Sequence, residues 1–127
     1  MDVIKRKNKT LRLTRAQALK CTPIKNTMVK ATRLYTGEVL LTYPITIRPL
    51  IRALARRFGR DIDRVQLKKL QLDELGTAVW DLIDGKRSVR QIIKHFVKRY
   101  HLQAREAEVS VTHFIRMLGK RGLIGLK

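Results

Sequence analysis

From Ser88 onward the apolar positions keep one strict rhythm: Val89, Ile92, Ile93, Phe96, Val97 and Tyr100 recur at the three- and four-residue steps that fill one face of an α-helix. Ser88 with Gln91 three residues later matches a capping box, which sets the start of that helix. A further helix is expected over 105–119, with Ala107, Val111, Phe114, Ile115 and Leu118 on its inward stripe, followed by Gly122 and a short apolar tail over 123–126. On the N-terminal side, Asp73 suits an N-cap for a helix that turns Leu75, Val79, Leu82 and Ile83 inward and stops at Asp84-Gly85.

Upstream of Asp73 the rhythm shortens. Residues 28–35 and 38–43 mix β-branched, aromatic and aliphatic side chains around Thr36-Gly37, which reads as two strands and a tight turn. A third strand is expected over 65–72. Val65 and Leu67 lie on one parity there and Leu70 and Leu72 on the other, which predicts a bulge or strand end near Lys68-Lys69. Between the second and third strands, Pro49 opens a helical pattern in which Leu50, Ile51, Leu54, Ala55 and Phe58 share a stripe, Arg52, Arg56, Arg57 and Arg60 stay largely off it, and Gly59 ends the run. Residues 47–62 therefore read as an inserted basic helix, packed by its apolar stripe or offered as a docking or membrane-surface face. Residues 1–22 hold too few apolar positions to pack alone and read as a flexible basic arm, with Thr14 able to cap one short turn; Pro23 marks a break, and 23–127 form one domain. The expected fold is α+β: three N-terminal β-strands followed by a three-helix bundle, a winged helix-turn-helix arrangement with an extra helix between strands two and three.

Charge changes the picture. The 127 residues carry 29 Lys and Arg against 10 Asp and Glu, a formal net charge of +19, so polyanions of any kind are drawn to the chain. The excess is uneven. Residues 1–71 hold only Asp2, Glu38, Asp61 and Asp63 as acids, whereas the helices downstream are closer to balance. Cys21 is the single cysteine, which excludes an internal disulfide framework and fits a reducing compartment; cytoplasm is the default expectation. No apolar run reaches the roughly 18 residues of a spanning helix.

Candidate chemistry is sparse. His95, His101 and His113 do not share the spacing of a helical metal pair, Cys21 has no committed histidine, and the seven glycines form no phosphate-cradling run. No catalytic residue, metal or cofactor is expected, and the chain is read as a non-enzyme. Trp80 reads first as core packing. Lys68-Lys69 reads either as a charge guard on an exposed strand edge or as part of a binding surface.

One segment carries a resemblance. Leu72, Asp73, Glu74, Val79, Trp80, Leu82, Asp84, Gly85, Ser88 and Val89 stand where the coenzyme PQQ synthesis protein D (PqqD) family has its Leu-Asn/Asp-Glu opening, Val/Ile-Trp pair, Leu-x-Asp-Gly stop and Thr/Ser-Val restart. The similarity continues through the helical pattern to Lys120-Arg-Gly-Leu-Ile124, while the inserted helix departs from the family's short form. The resemblance implies a winged-helix recognition element for ribosomally made precursor peptides. Such an element grips a leader on its third strand and third helix and presents it to a modifying enzyme, often of the radical S-adenosylmethionine type.

Carried onto this sequence, the implied peptide contacts are Gln66, Leu67, Lys68, Lys69 and Leu70 on the strand and Arg105, Glu108, Val109, Thr112 and Arg116 on the helix. Arg52, Arg56, Arg57 and Arg60 are the expected docking positions for the enzyme partner. Strand addition supplies the physics, because an exposed sheet edge offers unpaired backbone groups to an extended chain. The same edge can pair with its twin in a homodimer. The competing class is a winged helix that binds nucleic acid, favoured by net charge and opposed by Glu106 and Glu108 in the first turns of the expected recognition helix.

Overall fold

The computed structural model describes residues 13–45, 56–59 and 66–127, and it divides into two compact units: Thr27–Thr77, and the described residues up to Asn26 together with Ala78–Lys127. The protein is α+β with two antiparallel sheets. In chain order the elements are α1 (Arg15–Lys20), β1 (Pro23–Lys25), β2 (Lys30–Arg33), β3 (Val39–Ile45), β4 (Gln66–Gln71), α2 (Glu74–Leu82), α3 (Val89–Tyr100), α4 (Ala104–Lys120) and β5 (Ile124–Leu126).

The first unit is a three-stranded sheet in the order β2-β3-β4. The β2–β3 turn closes as the sequence suggests, with Gly37 at φ 92°, a left-handed conformation that glycine adopts without a Cβ penalty. Leu34 N–H donates to Glu38 O at 2.8 Å and Gly37 N–H to Leu34 O at 2.9 Å. Along β3, Val39, Leu41 and Tyr43 are buried, as alternation requires of a sheet with one covered face. Opposite them, Leu70 pairs with Leu41 and Lys68 with Tyr43 in an unbroken register from Gln66↔Ile45 to Gln71↔Leu40.

The bulge expected at Lys68-Lys69 is therefore absent. The parity switch has a simpler cause: Leu70 and Leu72 fall on the face of Leu41 and Val39, while Leu67 points the other way and is 61 % exposed. The inserted helix lies mostly outside the described residues. Of it, Arg56 and Arg57 are helical, and Phe58 and Gly59 turn out of the helix with Gly59 at φ 71°. Phe58, expected on the packed stripe, is exposed.

Thr77 is the one buried polar or charged residue among the described residues, and its Oγ1 accepts the N–H of Val39 at 3.1 Å. That bond satisfies a buried donor where β4 has already ended. Thr77→Val keeps the shape and removes the acceptor, so it should cost about 1–3 kcal/mol, read as a lower urea midpoint with unchanged slope.

The second unit is helical, with a small sheet. Ser88 and Gln91 cap α3 reciprocally, and Val89, Ile92, Ile93 and Phe96 are buried along its inner face, with Val97 and Tyr100 at the margin. α4 buries Ala107, Val111, Ile115 and Leu118, with Phe114 half-buried. In α2 the buried residues run from Gly76 to Trp80, followed by Ile83; Leu75, expected inward, is 46 % exposed. Asp84 links α2 to α3 by accepting the N–H groups of Lys86 and Arg87 at 2.9 and 2.8 Å, and these bonds, Arg87 first, hold its carboxyl below the usual range. No described helix is long and apolar enough to cross a membrane.

One pairing was not legible as pattern. The short apolar tail is a strand: β5 pairs antiparallel with β1, so Pro23 begins a strand where a break was expected. Thr22 and Lys127 extend this ladder with reciprocal backbone bonds of 2.9 and 3.0 Å. Within the stretch read as an arm, Thr14 caps a short helix as expected: α1 forms behind a capping box of Thr14 and Gln17 and buries Leu19.

Candidate functional site

The strand positions implied for peptide contact lie at the end of the three-stranded sheet. β4 has β3 on one side, and no other described strand on its other side. Gln66, Leu67, Lys68 and Lys69 are exposed and Leu70 is half-buried. Val65, the first residue of the expected strand, lies outside the described residues.

Hydrogen-bond phase decides which of these residues offer their backbone outward. In an antiparallel ladder alternate residues spend both backbone groups on one neighbour. Leu72 N–H donates to Val39 O at 2.8 Å, which places Leu72 and, by alternation, Leu70, Lys68 and Gln66 in the positions bonded to β3. The backbone N–H and C=O groups of Leu67, Lys69 and Gln71 then point to the open side. The Leu34 to Glu38 bond gives the same phase independently, since it makes Leu40 and Thr42 the β2-bonded positions and leaves Leu41, Tyr43 and Ile45 for β4. Pro44, which has no N–H to donate, falls on the β2-facing phase beyond the end of β2, where none is needed.

The helix positions share one flank of α4. Arg105, Glu108, Thr112 and Arg116 follow at three- and four-residue steps with Val109 beside them, and this flank lies next to the buried stripe of Ala107, Val111, Ile115 and Leu118. Val109 is 59 % exposed, an uncovered apolar group on that flank. Thr112 Oγ1 donates to Glu108 O at 2.6 Å, so its hydroxyl proton is engaged within the helix.

Glu108 differs from what a peptide contact would suggest. Its carboxylate is held bidentately by the Arg15 guanidinium of α1, with Nη2 donating to Oε2 at 3.0 Å and Nε to Oε1. That hydrogen bond, more than the charge alone, draws Glu108 below the ordinary carboxylate range and raises Arg15 above its own. Arg15 was not singled out in the sequence, because nothing in a linear pattern joins positions 93 residues apart.

Of the expected docking arginines, Arg56 and Arg57 are exposed, and Arg52 and Arg60 lie outside the described residues. Trp80 is buried, as its core reading required, with Lys25 Nζ 4.6 Å from the ring centroid, a cation–π contact. No group of three or more potential metal ligands occurs among the described residues. Cys21 Sγ contacts Gln17 O at 3.3 Å, and the Cys21 carbonyl accepts the N–H of Val89 at 2.9 Å.

Comparison with known families decides the kind of domain. Residues 65–124, just under half of the chain, match the family model described as coenzyme PQQ synthesis protein D (PqqD). These residues are PqqD-like in sequence. Among solved structures, "TbiB1 in Complex with the TbiA(beta) Leader Peptide" superposes with a TM-score of 0.56 at 17% sequence identity, over 80% of this chain and 93% of that one. At that identity the likeness speaks for a shared fold, over 80% of this chain. No curated protein matches the sequence. The PqqD-like segment begins with β4, so the open edge and the α4 flank both lie inside it.

Proposed function

We propose that this protein is a non-catalytic carrier that captures the leader of a ribosomally made precursor peptide and presents it to a modifying enzyme of the radical S-adenosylmethionine type. The observation that carries the reading is the outer edge of β4, which no other described strand pairs and where Leu67, Lys69 and Gln71 hold outward backbone groups in the phase a further strand requires. The PqqD match and the leader-bound state of the solved TbiB1 complex support it. In this reading the leader lies along Gln66, Leu67, Lys68, Lys69 and Leu70, with main-chain bonds giving affinity. Side-chain selectivity falls to Arg105, Val109 and Arg116 on the α4 flank, since the Glu108 carboxylate is held by Arg15 and the Thr112 hydroxyl by the Glu108 carbonyl. Arg56 and Arg57, with Arg52 and Arg60, form the docking face for the enzyme, and the encounter takes place in the cytoplasm between winged-helix carrier and nascent precursor. The net charge of +19 suits nucleic acid as well, but Glu106 stands in the first turn of α4, where phosphates would be repelled.

The test is isothermal titration of the full chain with acidic leader peptides encoded beside its gene. At low salt the affinity should be micromolar or tighter, and it should weaken as salt rises because a net charge of +19 steers acidic chains electrostatically. Affinity for random duplex DNA equal to or above that for every leader would overturn the reading.

A further inference from the structure

Unit Ala78–Lys127, with the described residues up to Asn26, contains an apolar cleft that the strand edge does not include. It opens between α1, the C-terminal half of α4 and β5, and Ala18, Val89, Ile115 and Leu126 form its apolar lining. Arg116 and Lys120, both exposed, stand on its rim, and no acidic residue lines it among the described residues. Glu108, the acid one turn before Thr112 on this flank, is already neutralised by the two-point bond to Arg15.

This arrangement has a definite chemical preference. The lining gains from an aliphatic or aromatic group leaving water, and the rim gains from carboxylates on either side of that group. An isolated cation or a neutral polar ligand satisfies neither part. We infer that this cleft is a second subsite, which takes one bulky apolar side chain of an acidic peptide segment while Arg116 and Lys120 hold the flanking carboxylates. The inference rests on the peptide-carrier reading and deepens it: the precursor is gripped at two places, by its backbone on β4 and by an apolar anchor here.

The wall formed by α1 is held at both ends. Its C-terminal end is fixed, since Leu19 is buried and the Cys21 carbonyl accepts the Val89 N–H just before β1 begins. Its N-terminal end is tied to α4 by the Arg15–Glu108 pair, in which Arg15 is largely exposed.

Gly119 lines the cleft, and a Cβ built there meets nothing within 4 Å. It sits inside α4 without a positive φ, so Gly119→Leu fills the cleft while agreeing with the helix. The experiment is an NMR and fluorescence titration of the full chain with two synthetic acidic peptides that differ only in a central Leu or Ala flanked by Glu. The Leu peptide should bind roughly tenfold tighter than the Ala peptide, from the apolar area a leucine buries, and it should shift the methyl signals of Ile115 and Leu126. In Gly119→Leu that preference and those shifts should vanish, while the amides of Leu67, Lys69 and Gln71 still respond to both peptides. Arg116→Glu with Lys120→Glu should weaken binding of the Leu peptide and lessen its salt dependence.

Each other outcome overturns something specific. If the β4 amides respond and the two peptides bind wild type equally, or Gly119→Leu keeps the preference, the subsite is wrong and the carrier reading stands. If neither region responds to any acidic peptide, the carrier reading itself fails. If the cleft methyls shift on concentrating the protein alone, a second copy of the chain occupies the cleft and the peptide subsite is overturned.

Discussion

Lys69→Pro should reduce leader binding at least tenfold while leaving the thermal transition close to that of the wild type. Proline removes a backbone donor and adds a ring to its own nitrogen, so its effect depends on where that nitrogen points. At Lys69 it points to the open side of β4, and none of the β3 bonds involves it. An arriving strand would lose one main-chain bond, about 0.5–1.5 kcal/mol, and would also meet the ring, which forces neighbouring bonds to lengthen. Lys68→Pro is the matched opposite. Lys68 N–H belongs to the set bonded to β3, so that variant should destabilise the Thr27–Thr77 sheet directly. Lys69→Ala completes the set, keeping the backbone and removing only a screened surface charge, so its effect should be small and should fade with salt. Wild-type affinity in Lys69→Pro, measured by titration with the same leader, would rule out β4 as the capturing edge.

Phe96→Ala should have the largest effect on stability, about 3–5 kcal/mol in urea denaturation. Phe96 is among the largest fully buried side chains, and its ring sits 4.8 Å from that of Tyr100 in a tilted pair one turn along α3. Truncation leaves a void on the inner face of α3, whose buried neighbours Ile92 and Ile93 belong to the same helix and cannot follow into it. Against a typical total of about 5–15 kcal/mol, a loss of that size leaves a marginal fold. A measured cost below about 1 kcal/mol would mean that the helical unit repacks freely around position 96.

What the sequence made legible follows from the range over which each signal acts. The α3 rhythm, its Ser88–Gln91 cap and the Gly37 turn are local, and each is present as expected. The β4 positions were legible too, although the mixed parity of Leu67 and Leu70 suggested a bulge. In a strand whose outer face is uncovered, an exposed leucine such as Leu67 is tolerated, so parity alone was a poor guide to register. The β1–β5 pairing was not legible. Its strands are three residues each, too short to show alternation, and their partners lie about a hundred positions apart in sequence. The Arg15–Glu108 pair escaped for the same reason, and Glu108, expected to face a peptide, instead has its carboxylate committed to α1.

The ladder between β1 and β5 also bears on how the protein is made. Sheet β2-β3-β4 is complete in chain order by Gln71, so it can form while the ribosome is still translating the helices. Strand Pro23–Lys25, although synthesised earlier, has no partner until Ile124–Leu126 has emerged. The early-made segment that carries α1 must therefore stay unpaired through most of synthesis, and the cleft walled by α1 and β5 takes shape as one of the final events.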